Sequence, residues 1–173
     1  MLRRAAATLA LVALAACGTT SPTRAVRHHG LGGSSLVYVE AFDVAKVQMV
    51  GRTAAATPGE LASRLRVRLL QELRDQGMQT RDADGAVPRD GILVRGSIDT
   101  IDGGTTEGVQ VGGQRVHCTV QLFNGAEDRS DPAVELTVTG TPTVTEAMQS
   151  TAAILGAAED AADQIAKYIH EHP

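Results

Sequence analysis

The chain has 173 residues with 16 basic and 20 acidic side chains, which gives a formal net charge of −4 at pH 7. It contains two Phe, two Tyr and no Trp, so it offers few aromatic rings on which nucleic-acid bases could stack. An acidic chain without a basic block argues against nucleic acid as a partner, because phosphate neutralisation supplies most of that affinity. The length corresponds to one ordinary domain plus a short additional segment.

Residues 1–16 have the pattern of a secretory signal peptide. Arg3 and Arg4 precede an apolar run from Ala5 to Ala13. This run has about a dozen residues at most, whereas crossing the hydrocarbon layer of a membrane takes about 20. A cleaved signal peptide therefore explains the segment better than a transmembrane helix does.

The tetrad Leu14-Ala15-Ala16-Cys17 resembles the lipobox of bacterial lipoproteins. The resemblance implies a diacylglyceryl group on the Cys17 thiol, cleavage just before this residue, and acylation of the new amine, usually with palmitate. Two or more acyl chains give stable membrane anchoring. Gly18 stands where an Asp would retain such a protein in the inner membrane, so the resemblance implies an outer-membrane location, facing the periplasm, in a two-membrane host.

Residues 17–35 are expected to be the lipidated Cys17 and a flexible tether, because they are rich in Gly, Ser, Thr and Pro and show no apolar period. A coil of this length reaches roughly 20–25 Å. A single folded domain is expected over residues 36–171.

Cys118 has no disulfide partner if Cys17 is lipidated, although secretion would permit a disulfide. Two interpretations stay open for this thiol. Its alternation with Val116 and Val120 favours a small buried apolar residue, and the alternative is a reactive thiol.

Apolar periodicity predicts the first elements of the domain. Leu36–Phe42 is a nearly continuous apolar run, typical of a central strand. Thr57-Pro58-Gly59-Glu60 is a capping box with Pro at the first helical position, and Gly77 supplies the stop. The predicted buried stripe of this helix consists of Leu61, Leu65, Leu69, Leu70 and Leu73.

A short strand over Met78–Arg81 is followed by three segments that alternate between apolar and polar residues and predict an antiparallel meander. Their inward residues are Ile92, Val94 and Ile98, then Val116, Cys118, Val120 and Leu122, then Val134, Leu136 and Val138. The outward residues of the first segment are Arg95, Ser97 and Asp99. An Ala-rich helix over Ala152–Ile169 completes the domain, and its small residues are expected to let it lie close on the sheet. Its predicted packing stripe consists of Ala158, Ala162, Ile165 and Ile169. The predicted fold is an α+β two-layer sandwich with a mixed or antiparallel sheet of about five strands and two helices on one face.

The loop over residues 102–113 carries five glycines and joins two of the predicted strands. So long a hairpin loop is uncommon unless it binds something, and the alternative is a tolerated flexible hairpin. Its candidate binding residues are Gly103, Gly104, Glu107, Gly112 and Gly113.

The first helix also carries four arginines off its leucine stripe, namely Arg64, Arg66, Arg68 and Arg74. They predict a solvated helix face, or alternatively a contact with anionic lipid headgroups.

Residues with catalytic or metal-binding chemistry do not form a recognised constellation. The histidine pairs, His28-His29 and His170 with His172, lie in segments expected to be mobile, whereas metal sites need three or four converging ligands. The carboxylates Asp99, Asp102, Glu107 and Glu135 have no spacing that forces two of them together. We therefore predict no catalytic residue, no metal site and no cofactor.

The domain resembles an uncharacterised family of small bacterial lipoproteins, known only as a domain of unknown function. The resemblance rests on Asp75–Met78, Leu93–Gly104, Val111–Gly113 and the terminal-helix segment Asp160–Ala166, while Thr105–Gln110 departs from the family pattern. This family is also distantly similar to lipoprotein partners of envelope transport and secretion machines. The resemblance implies the fold and the compartment, and no activity.

Together these features predict a lipid-anchored envelope protein whose domain binds another envelope protein and is not an enzyme, as an assembly or transport accessory subunit. A lipoprotein that binds lipid or a small molecule is the alternative, and an enzyme is the third and least favoured class.

Overall fold

The computed structural model describes residues 23–28, 30–51, 56–83, 90–103, 105–106, 109–110, 113–125, 130–142 and 150–172. The predicted signal peptide and Cys17 lie outside the described residues. None of the helices in these ranges is long and apolar enough to cross a membrane.

The described chain forms a seven-stranded mixed sheet, a small separate hairpin and two helices. The strands are β1 (Thr23–His28), β2 (Leu36–Val39), β3 (Gln48–Val50), β4 (Gln79–Asp82), β5 (Ile92–Asp102), β6 (Thr105–Thr106), β7 (Val109–Gln110), β8 (Arg115–Asn124) and β9 (Val134–Gly140). The helices are α1 (Pro58–Asp75) and α2 (Ser150–Glu171). The predicted α+β sandwich is confirmed.

The large sheet has the order β1-β9-β8-β5-β2-β4. Strands β5, β8 and β9 pair antiparallel as the predicted meander, whereas β2 is parallel to both β4 and β5. Strand β3 pairs in parallel with the last residues of β5, beyond the segment that β2 occupies. β3 was not predicted, because its three residues are all exposed and carry no alternation.

One face of the sheet packs against both helices. The predicted stripe of α1 is buried, and α2 buries Ala158, Ala162, Ile165 and Ile169 as predicted. The capping box of α1 forms, since the Glu60 amide donates to Thr57 Oγ1 at 3.2 Å and the Thr57 amide donates to Glu60 Oε2 at 2.7 Å.

The arginines of α1 tie it to its neighbours. Arg64 pairs with Glu159 of α2, and Arg68 pairs with Asp163 one turn further along both helices, with Nε–Oδ1 at 2.7 Å. The two helices therefore run parallel. Arg66 pairs with Asp82, and Arg74 donates to Thr80. Intramolecular partners thus engage these four side chains, while Arg64 and Arg74 stay exposed as expected for a solvated face. The alternative of a lipid contact stays a prediction.

The prediction of a flexible tether over residues 18–35 is wrong for Thr23–His28, which form β1 and pair antiparallel with β9. Leu31 is also in the core and is only 1% exposed. The next two residues, Gly32 and Gly33, form a turn with positive φ angles. The backbone groups of an edge strand are open to pairing whatever the side chains of the partner. A short polar segment can therefore become a strand without showing an apolar pattern.

Helix α2 lies unusually close to β9 at Gly140. A Cβ atom at this position would collide with the Ala157 carbonyl oxygen and lie 2.9 Å from the Ala161 Cβ atom. The small residues predicted to let α2 lie close on the sheet are therefore matched by a glycine beneath them.

We expect Gly140→Ala to destabilise the domain by about 1–3 kcal/mol, because the helix must move away from the sheet to admit one methyl group. Gly113→Ala is the matched control, since a Cβ atom there has no neighbour within 4 Å, and it should change stability by less than about 0.5 kcal/mol. Urea unfolding of the two variants measures this difference. Equal stabilities would show that α2 does not constrain Gly140.

Candidate functional site

The face of the sheet opposite the helices carries the polar side chains of the meander, and we call it the outer sheet face. It is formed by Glu40, Arg95, Ser97, Asp99, His117, Thr119, Gln121, Glu135, Thr137 and Thr139. Alternation along the strands produces it, because each of these residues follows or precedes an inward apolar one. No helix of the described ranges packs on this face, and its side chains are partly or fully exposed.

Arg95 is the central cation of the outer sheet face. Its Nε donates to Glu40 Oε2 at 2.8 Å and its Nη2 donates to Glu40 Oε1 at 3.2 Å, so the pair is bidentate. The guanidinium also lies 5.3 Å from the centre of the Phe123 ring. The hydrogen bond to Glu40 raises the pKa of Arg95 against the opposing effect of burial. The contact holds the end of β2 against β5 and β8.

Asp99 is the central carboxylate. Ser97 Oγ donates to its Oδ1 and Thr119 Oγ1 donates to its Oδ2, both at 2.7 Å. The register of β5 and β8 shifts between Ile98 and Thr100, which is the signature of a β-bulge. Asp99 occupies this irregular position. Alternation alone predicted its outward direction and could not predict its two hydroxyl partners.

A shallow depression of about 190 Å³ lies beside Arg95 and is lined by Asp43, Arg95, Gly96, Ser97, Thr119 and Gln121. Because Gly96 has no side chain, the Phe42 ring can pack directly against β5 in the space that a Cβ atom would occupy. The depression is smaller than the roughly 300 Å³ at which small-molecule sites begin.

Cys118 lies directly beneath this face, pointing into the helical side of the sheet with no exposed surface. Burial raises the pKa of its thiol, and the negative charge of Asp99 raises it further. The interpretation of Cys118 as a small buried apolar residue is therefore confirmed, and a reactive thiol is excluded by its burial.

The Gly-rich loop is partly described, with β6 and β7 forming a two-stranded hairpin. Gly103 is buried and its amide donates to the Val50 carbonyl at 2.8 Å, whereas Gly113 is exposed. Gly104, Glu107 and Gly112 lie outside the described residues. Gly103 thus has a structural contact with β3, and the binding role of the loop stays a prediction.

The remaining candidate residues are dispersed. Glu135 accepts from Gln121 Nε2 at 3.2 Å, and His117 Nδ1 hydrogen-bonds with Thr139 Oγ1 at 3.0 Å. Asp102 lies opposite Arg115 at the end of β5. Within the described ranges, no three His, Cys, Asp or Glu side chains are grouped so that they could hold a metal ion.

The Arg95–Glu40 pair was missed from the sequence because its members are 55 positions apart. The available signal was weak. Glu40 interrupts an apolar strand, and Arg95 is the outward cation of a strand that could lie beside it.

The comparisons with known proteins show the fold. No family model matches the chain, and no curated protein matches it. Among solved structures, the PelC dodecamer from Paraburkholderia phytofirmans superposes with a TM-score of 0.53 at 15% identity, over 83% of this chain and 94% of that one. The chain thus shares the architecture of PelC, while the family resemblance read from the sequence stays a prediction.

Two further solved structures match at lower TM-scores. A variant of the same PelC dodecamer has a TM-score of 0.46 at 17% identity, over 80% of this chain and 96% of that one. A Xanthomonas campestris protein of the DUF330 family has a TM-score of 0.43 at 14% identity, over 79% of this chain and 82% of that one.

We expect the stability of the domain to fall as the pH rises above about 9, the ordinary pKa of a cysteine thiol. The folded-state pKa of Cys118 is raised, so the unfolded state loses its proton first and is favoured as the pH increases. The contribution is at most about 1.4 kcal/mol for each pH unit.

The measurement is urea unfolding at about pH 8 and about pH 10, for the parent chain and for Cys118→Ala. The variant should lack the cysteine part of the alkaline loss. Burial also raises the pKa of Tyr168, and this contribution remains in both proteins. An identical pH dependence in the two proteins, or labelling of Cys118 in the native state by a thiol reagent, would contradict the burial argument.

Proposed function

We propose that this protein is a lipid-anchored, non-catalytic accessory subunit of the bacterial cell envelope, and that it acts by binding other protein chains through its outer sheet face. One observation carries the proposal: neither α1 nor α2 covers the polar side chains of the outer sheet face, most of which lie on β5, β8 and β9. The anchor on Cys17 would hold this surface near the membrane.

The chemistry of the outer sheet face supports binding rather than catalysis. Its charged groups are already engaged, with Arg95 on Glu40 and Asp99 on two hydroxyl groups. A general acid or base needs a shifted pKa and a free direction toward a substrate. Rows of short polar side chains across β5, β8 and β9 instead present a flat surface of the kind that protein interfaces use at their polar parts.

The shared fold supports assembly as the mode of action. The neighbour with the same architecture is described as a dodecamer, so this fold is compatible with contacts between many copies of one chain. We propose accordingly that the first partner of the outer sheet face is a protein subunit, either a second copy of this chain or another envelope protein.

A lipid or small-molecule carrier is the competing function, and the depression beside Arg95 is its best support. Its volume of about 190 Å³ and its lining by Arg95, Ser97 and Thr119 fit neither an acyl chain nor a typical small ligand. The second apolar cluster of the described residues, Tyr38, Leu93 and Phe123, is itself buried. A protein partner is therefore favoured.

For the anchor, Cys17→Ser should give an uncleaved precursor without lipid, because the hydroxyl group cannot replace the thiol as the acceptor. Palmitate incorporation and the mass of the mature protein measure this in cells. Cys118→Ala is the matched control, since it removes the other thiol and should leave lipidation intact. Maturation and palmitate labelling of the Cys17→Ser protein would contradict the proposal.

For the partner surface, Thr137→Arg should weaken association roughly ten-fold or more, because it places a large cation on the exposed centre of the outer sheet face. Gln71→Arg is the matched control on the exposed side of α1. Crosslinking in intact envelopes, followed by recovery of the anchored protein, measures the assembly. Recovery of the anchored protein without any crosslinked partner, or equal crosslinking of the Thr137→Arg and Gln71→Arg variants, would count against the proposal.

A further inference from the structure

We propose that one end of the sheet lies against the bilayer that holds the lipid anchor, with Met49 and Val50 in contact with the lipid. We call this the proximal end and define it by Thr23, Val50, Asp102, Arg115 and Gly140. The inference rests on the proposed lipidation of Cys17 and adds an orientation to it. The occupant of this surface is the membrane itself.

The strand register places these five residues at the same end. Thr23 of β1 is opposite Val138, two residues before the end of β9 at Gly140. Gly140 is opposite Val116, next to the start of β8. Arg115 is opposite Asp102.

Strand β3 lies at the same end of the sheet. Val50 is opposite Asp102, and its carbonyl accepts from the Gly103 amide. The hairpin of β6 and β7 follows directly after β5. The start of β1, the start of the Gly-rich loop and β3 therefore lie at the same end of the sheet.

The length of chain before β1 limits the distance to the membrane. Six peptide units separate Cys17 from Thr23, and they span at most about 22 Å in any conformation. A flexible chain of this length spans about 12–15 Å on average. By contrast, β5 alone extends about 33 Å from Asp102 to Ile92. The short connection holds the proximal end, rather than the opposite one, near the bilayer.

Met49 and Val50 give this end an apolar contact. They are 46% and 47% exposed, and among the described residues only Val67 of α1 is another large apolar side chain of comparable exposure. β3 lies four strand spacings from β1, about 19 Å across the same end. The acyl chains attach at one corner and the apolar pair at the other, so two contacts together would restrict rotation of the domain.

The test uses the full lipidated protein in vesicles of phosphatidylethanolamine and phosphatidylglycerol that contain a lipid-bound nitroxide quencher. A fluorophore is attached to Val50→Cys, or to one of two control variants, while the buried Cys118 stays unlabelled. Gln79→Cys marks the opposite end of the sheet, since Gln79 is exposed and opposite Leu36. Val67→Cys tests an exposed apolar position away from the proximal end.

We expect the lipid-bound quencher to reduce fluorescence several-fold more at position 50 than at positions 67 and 79. Flotation of the vesicles measures the anchor separately. Equal quenching at the three positions in protein that floats would overturn the orientation and leave the anchor standing. Protein that does not float would overturn both. Protection of position 50 without lipid quenching, together with crosslinks between copies, would show a protein contact there and would also overturn the inference.

Discussion

The packing of two parallel helices on a single face of the sheet is the interaction on which the other features of this molecule depend. Arg64 and Arg68 reach across to Glu159 and Asp163, so the same spacing of one turn recurs on both helices. Alanines on α2 bring that helix close to β9, and the absence of a side chain at Gly140 permits the close approach. Since both helices are used on this side, the opposite face of the sheet has to be made compatible with water or with a partner.

The strands solve this problem by alternation, and neighbouring residues of β8 show how abruptly the environment changes. Cys118 is completely buried and its thiol keeps its proton, whereas Thr119 is partly exposed and donates to Asp99. A shift of the register by one residue would exchange the two environments. The buried thiol and the polar outer sheet face are therefore two consequences of one register.

The same reasoning explains which parts of the structure could be predicted. The capping box at Thr57 and the leucine stripe of α1 are local signals, and alternation over β5, β8 and β9 fixes which face is buried. Strands β1 and β3 lie at edges and lack an apolar pattern, so their pairing depends on backbone groups of β9 and β5 that no local sequence reveals. The Arg95–Glu40 pair likewise depends on two strands meeting in parallel.

The most consequential of these missed elements is β1, because it changes the meaning of the predicted anchor. A tether that continued to residue 35 would let the domain turn in any direction above a membrane. With Thr23–His28 held on β9, only six peptide units remain between Cys17 and the sheet, and their reach is shorter than the sheet is long. A lipid on Cys17 would then do more than determine a compartment. It would select which end of the sheet approaches the bilayer and leave the outer sheet face roughly perpendicular to it, where neighbouring chains anchored in the same membrane can meet.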